Sequence, residues 1–214
     1  MTAKQGCAFL VSFFTAWASC AMSAESHLEQ AKAAYAKKFP DRVLDQRYVS
    51  FGDLNGDGIQ DFVTFYGDAD YNQRGVEDLQ VVVFLGAKSG GFSFYEASST
   101  VLGHERISHS VEVKNASLFL SRDGSNGCCS HWSEDYQFKM RDGDLRLIGV
   151  TIMTFSTDGT PDDYGSSRNL LTGEVVKWKR QGKSRVEVES IVPKQPLVQF
   201  GAFDDAVYSE AMSL

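Results

Sequence analysis

Cysteine is scarce and poorly placed for cross-linking: of four in 214 residues, Cys7 and Cys20 fall in the N-terminal stretch, leaving only the adjacent pair Cys128-Cys129. A long-range disulfide framework within one chain is thereby excluded once that stretch is removed. The extended apolar run CAFLVSFFTAWA, Cys7 to Ala18, is too short to cross a bilayer as a permanent helix. Positive charge is in deficit, with 21 Lys and Arg against 28 Asp and Glu for a formal net charge of -7. No basic patch is dense enough for nucleic acid. The chain has no H-E-x-x-H, no G-x-S-x-G and no phosphate-cradling glycine loop. It also lacks a linker rich in Pro or Ser and a full-length repeat.

What the N-terminus does have is a leader. Lys4 is the only charged side chain before Glu25, the apolar run follows, and the small residues SCAMSA come next, the order of a secretory signal peptide. Cleavage after Ala24 is expected, so that residues 1–24 are removed and residues 25–214 form one domain, in the periplasm or outside the cell. Losing Lys4 takes the formal charge from -7 to -8. Ala18-Ser19-Cys20 resembles the end of a lipobox, but Trp17 stands where an aliphatic residue belongs, so a lipoprotein anchored through Cys20 is the lesser alternative.

The Cys128-Cys129 pair has two readings. Neighbouring Cα atoms lie about 3.8 Å apart, closer than ordinary disulfide geometry, so a vicinal bridge requires a strained eight-membered ring in a turn. The preceding DGSNG, Asp123 to Gly127, supplies a turn, and an oxidising compartment favours closure. The other reading is two thiols half-buried beside a strand.

Beyond the leader the periodicity predicts one helix and then many strands. Ser26 and Glu29 form the S-x-x-E pattern of a capping box, and Leu28, Ala31, Tyr35 and Phe39 recur on one helical face until Pro40 stops it. From Arg47 the period becomes two. RYVSF, DFVTFY, LQVVVFL, FSFYEA, HSVEVK, SLFLS, SEDYQFKM, LRLIGVTIMTF, EVVKWK and SRVEVES are short β-branched or aromatic runs punctuated by Gly, Asn or Asp. Hairpin turns are expected at Arg141 to Asp144 and at Arg180 to Lys183. The fold class is mainly β (α+β), an N-terminal helix packed on an antiparallel sheet or sandwich of short strands joined by hairpins. The tail FDDAVYSEAM, Phe203 to Met212, has the pattern of a short closing helix.

The densest chemistry lies in GDLNGDGIQDFV, residues 52 to 63. Calcium takes six to eight hard oxygen ligands, which a loop supplies by placing carboxylates at alternate positions. Asp53, Asn55, Asp57 and Asp61 stand at positions 1, 3, 5 and 9. Ile59 offers its carbonyl at position 7, and Gly58 at position 6 permits the sharp turn. An EF-hand would carry a bidentate Glu at position 12, where this chain has Thr64, and would be flanked by helices rather than strands. The loop instead resembles the D-x-[DN]-x-D-G-x-x-D hairpin loops of FG-GAP and VCBS repeats. That resemblance spans about twelve residues and implies calcium held by Asp53, Asn55, Asp57, Ile59 and Asp61. The family carries several copies and this chain one clear copy, so a full propeller is not implied.

Catalytic patterns are thin. Cys129 and His131 sit at i and i+2, as a nucleophile and base might, but no third member is evident. His104-Glu105 and His109 occupy a polar stretch. Trp132, Tyr136 and Trp178 alternate within strands, where aromatic side chains face either a core or a binding surface. The expected function is therefore that of an exported calcium-binding β protein that binds rather than catalyses, as a periplasmic binding or inhibitor protein. An immunity-type protein directed at one toxin or enzyme fits this description. The alternative is a periplasmic hydrolase built on the histidines and acidic loops. Intact mass of the exported protein tests the leader: a chain starting at Glu25 without lipid is expected, and a diacylated Cys20 would place it at a membrane surface.

Overall fold

The computed structural model describes residues 26–67, 79–99, 107–125, 127, 129–158, 163–182 and 184–204. Residues 1–25, Cys20 among them, together with His104, Cys128 and the tail after Asp204, lie outside the described residues. Helix α1 runs over 26–38 and ends ahead of Pro40, which cannot supply the next N–H. Ser26 is already helical and its Oγ accepts from Gln30 Nε2, while Glu29 pairs with Lys32. These two residues thus act as helix-surface partners rather than as a reciprocal cap.

Two antiparallel meanders follow. The first sheet runs in the order β1 (Ser50–Gly52), β2 (Asp61–Tyr66), β3 (Gln80–Gly86) and β4 (Phe92–Ala97). The second has seven strands: β5 (Ser108–Lys114), β6 (Ser117–Ser125), β7 (Ser130–Arg141), β8 (Asp144–Ser156), β9 (Tyr164–Asn169), β10 (Glu174–Gln181) and β11 (Ser184–Ile191), each beside its neighbour in sequence. The architecture is the mainly β class read from the sequence, with the helix on one face of the smaller sheet. No helix among the described residues is long and apolar enough to cross a membrane.

β2 and β3 are the middle layer, which explains their nearly unbroken apolar runs. Phe62 of β2 and Val82 and Phe84 of β3 join Ala31, Tyr35 and Leu44 beneath the helix. Val63 and Phe65, with Val81 and Val83, face the larger sheet and meet Leu118, Leu120, Tyr136, Phe138, Leu145 and Leu147. Phe200 and Phe203 close that core edge-on against Phe138. Alternation along a strand sends successive side chains into the two cores.

The β7–β8 turn forms as expected, with Asp142 and Gly143 at φ 53° and 87°, the left-handed pair a two-residue hairpin needs. Strand β9 was not expected: its sequence YGSSRN is polar, and pairing with β8 and β10 on both sides makes it a strand. Gly165 in that strand leaves room for a ring, since a Cβ there would lie 2.7 Å from Trp178.

Tyr35 ties the helix to the middle layer, its hydroxyl donating to the Phe65 carbonyl at 3.2 Å. Burial, reinforced by the neighbouring Tyr66 and opposed by Arg42, pushes its phenol up to about 12. The folded state therefore holds this proton more tightly than the unfolded chain. The contribution is intact below pH 10.0 and is lost as pH climbs toward 12. Urea titrations should show Tyr35→Phe losing about 1 kcal/mol at neutral pH, and the gap to wild type narrowing at alkaline pH. A gap independent of pH would contradict this.

Candidate metal centre

The acidic loop joins β1 to β2 at the junction of the two sheets. Its root is fixed on the larger sheet, where the Val113 N–H donates to Ser50 Oγ at 2.8 Å. Gly52 approaches so closely that a Cβ would lie 2.5 Å from Val113 Cγ1. Its far side rests on β3, where a Cβ at Gly86 would lie 2.2 Å from the Gln60 carbonyl oxygen. Glycine is required at both contacts by approach distance.

Within the loop the oxygen-bearing side chains turn onto the backbone. Asp53 accepts from the N–H groups of Gly56 (2.7 Å) and Gly58 (2.9 Å), Asn55 Oδ1 from Asp57 (3.0 Å), and Asp57 Oδ1 from Ile59 (2.8 Å). Asp57 Oδ2 also accepts from Asn55 Nδ2 at 3.2 Å. Gly56 and Gly58 adopt φ of 78° and 81°, the left-handed region glycine enters without strain. Asp61 differs from the others in being 0% exposed. Its two oxygens accept from Leu54 and Gly86, at 2.8 and 2.9 Å.

Burial pushes the Asp61 carboxyl above the usual carboxylate range; the two backbone N–H groups oppose this, and the charges of Asp57 and Asp53 add to it. The three carboxylates thus feel one another, and no ion pair among the described residues neutralises them. Among the described residues no three His, Cys, Asp or Glu side chains converge into a ready-made cage. The donor chemistry nonetheless suits a hard cation, because every carboxylate oxygen that accepts one N–H keeps a further lone pair.

The other sequence candidates are dispersed. His131 stacks on Phe155 at 5.5 Å, His109 meets Phe65 edge-on at 6.2 Å, and His27 lies by Phe51. Cys129 is half-buried, its carbonyl accepting from Thr157 N–H. Its neighbour Cys128 lies outside the described residues. Tyr136 is core and donates to Glu134. Trp132 covers Gly124, and Trp178, on the opposite face of the same sheet, covers Gly165. The three aromatics therefore do not share a binding surface.

Two cavities were not foreseen. One of about 400 Å³ lies under the 41–48 segment, lined by Tyr35, Arg42, Arg47, Tyr48 and Thr64. The other, of about 270 Å³, lies on the outer face of the larger sheet between Phe119, Asp135, Gln137 and Ser167. Neither lining includes a histidine. Sequence reasoning also missed the Gly86 N–H as the anchor of Asp61, a contact between residues 25 positions apart with no local signal. No protein-family model, curated protein or solved structure matches this chain.

Asp61 should be structural even without metal. In chelator, Asp61→Ala strands two backbone N–H groups and should cost roughly 2–4 kcal/mol in urea unfolding, with Asp61→Asn recovering part of it. Stability equal to wild type in both variants would show that these two bonds carry no weight.

Proposed function

We propose that this chain is an exported calcium-binding β protein that acts by binding a partner, in the manner of a periplasmic binding or inhibitor protein. The observation that carries the reading is the Asp53-to-Asp61 loop, where backbone N–H groups orient three carboxylates and an amide oxygen that no ion pair among the described residues balances. Uncompensated like charges at this spacing call for a counter-ion. The FG-GAP-like pattern supplies the matching ligand set, Asp53, Asn55, Asp57, Ile59 and Asp61. Calcium here pins the β1–β2 hairpin to β3; it does not activate a substrate.

Export rests on the leader read from the sequence, and an immunity-type role toward one toxin or enzyme rests on analogy with other small, acidic, exported chains. The acidic surface favours a cationic protein partner. The hydrolase alternative draws no support from His27, His109 and His131, which lie against separate aromatic rings.

A loop without a bidentate Glu should bind calcium with a dissociation constant on the order of 10⁻⁴ to 10⁻³ M. At ten times that concentration the fold gains about 1.4 kcal/mol, from RT ln(1 + 10), or about 3–6 °C in melting temperature for a domain of this size. Magnesium should give less, because it sheds its waters reluctantly. Asp57→Ala should remove the calcium-dependent rise while leaving the metal-free melting temperature equal or higher. Identical wild-type melts in millimolar calcium and in chelator would make the loop a turn only.

A further inference from the structure

We propose that β11 is a dimerisation edge, along which a second copy of this chain adds its own β11 antiparallel about a two-fold axis through Glu187. The two edges of the seven-stranded sheet differ. β5 is closed by β1, through the Val113–Ser50 hydrogen bond and the tight approach of Gly52. Among the described residues β11 pairs with β10 alone, and every residue from Ser184 to Ile191 is exposed.

An edge left open is normally blunted by proline, a bulge or inward-pointing charge. β11 has no proline, and its pairing with β10 runs through eight residue pairs without a register shift. Its apolar side chains face water instead: Val186 is 43% exposed, Val188 65% and Ile191 83%. Eight exposed strand residues with valines at alternate positions make a template for another strand.

The pattern of the strand selects a second copy as the occupant, and one register. Directly opposed residues of antiparallel strands lie on the same face. With Glu187 on the axis, Arg185 meets Glu189 of the partner subunit and Glu189 meets Arg185 of the partner subunit. On the other face Val186 and Val188 meet Val188 of the partner subunit and Val186 of the partner subunit. Ser184 and Ser190 oppose one another at the ends, so the whole span 184–190 is used. The cost is the meeting of the two Glu187 side chains, each already held by Arg185 of its own chain at 2.6 Å. That Arg185 is itself fixed over the Trp178 ring at 4.5 Å. Moving the axis to Val188 would oppose Glu187 to Glu189 twice. Moving it to Val186 would set Glu187 against Arg185 of the partner subunit but would shorten the paired span to 184–188, since Glu189 would then face residue 183, outside the strand.

Sedimentation velocity of the full exported chain, up to millimolar concentration, tests the edge. Wild type should pass from monomer to dimer. Val188→Glu sets a carboxylate opposite Lys177, its pairing neighbour on β10, so the hairpin is kept, and it should weaken the dimer about tenfold or more. Under oxidation Glu187→Cys should give a disulfide between two copies at position 187, identified by peptide mass, because opposed strand residues lie within disulfide reach. Arg185→Cys should not link to itself. A chain that stays monomeric throughout would overturn the proposal and leave the edge to a different partner. A dimer unchanged by Val188→Glu and without the 187–187 link would assign the dimer to another surface.

Discussion

The buried carboxylate of Asp61 is the interaction on which the rest of the molecule depends. A charge removed this fully from water is tolerated only with compensating hydrogen bonds, and its two come from opposite directions, Leu54 in the loop and Gly86 in β3. One side chain thereby joins the turn, the strand it begins and the neighbouring strand into a unit. β2 and β3 are also the layer shared by both hydrophobic clusters. The loop's geometry is thus coupled to the helix on one side and to the larger sheet on the other.

Much of this was legible in the sequence, and the reason differs by element. The amphipathic helix and the alternating strands announce themselves because burial on one face imposes a period. β2 and β3 announce themselves as apolar runs because both faces are covered. The acidic loop stood out because four oxygen-bearing side chains fall within nine residues, and its turn was readable because Gly56 and Gly58 mark the left-handed positions. Strand β9 was not readable: Ser166, Ser167, Arg168 and Asn169 have no strand preference, and pairing on both sides imposes the conformation. The β5–β6 turn was only half legible: Asn115 marks the break between the two runs, but Ala116 follows it at φ 51° where glycine normally stands. The anchor at Gly86 and the close approach of Gly52 to Val113 depend on contacts far apart in sequence.

The two sheets divide the labour. The smaller, with its helix, is closed on both faces and carries the acidic loop at its junction with the larger sheet. The larger sheet is packed at the β5–β8 end and open at β11, where eight strand residues face solvent. In the proposed division the loop sets rigidity and the open edge sets association, and neither role asks a side chain to do chemistry.

Amide hydrogen exchange with and without calcium tests the pinned hairpin most directly. Calcium should slow exchange at the amides of Leu54, Gly56, Gly58, Ile59 and Gly86, the donors held by the loop's carboxylates, with little change along β8 to β10. Unchanged exchange at those five amides in saturating calcium would contradict a loop that pins the hairpin to β3 through its metal.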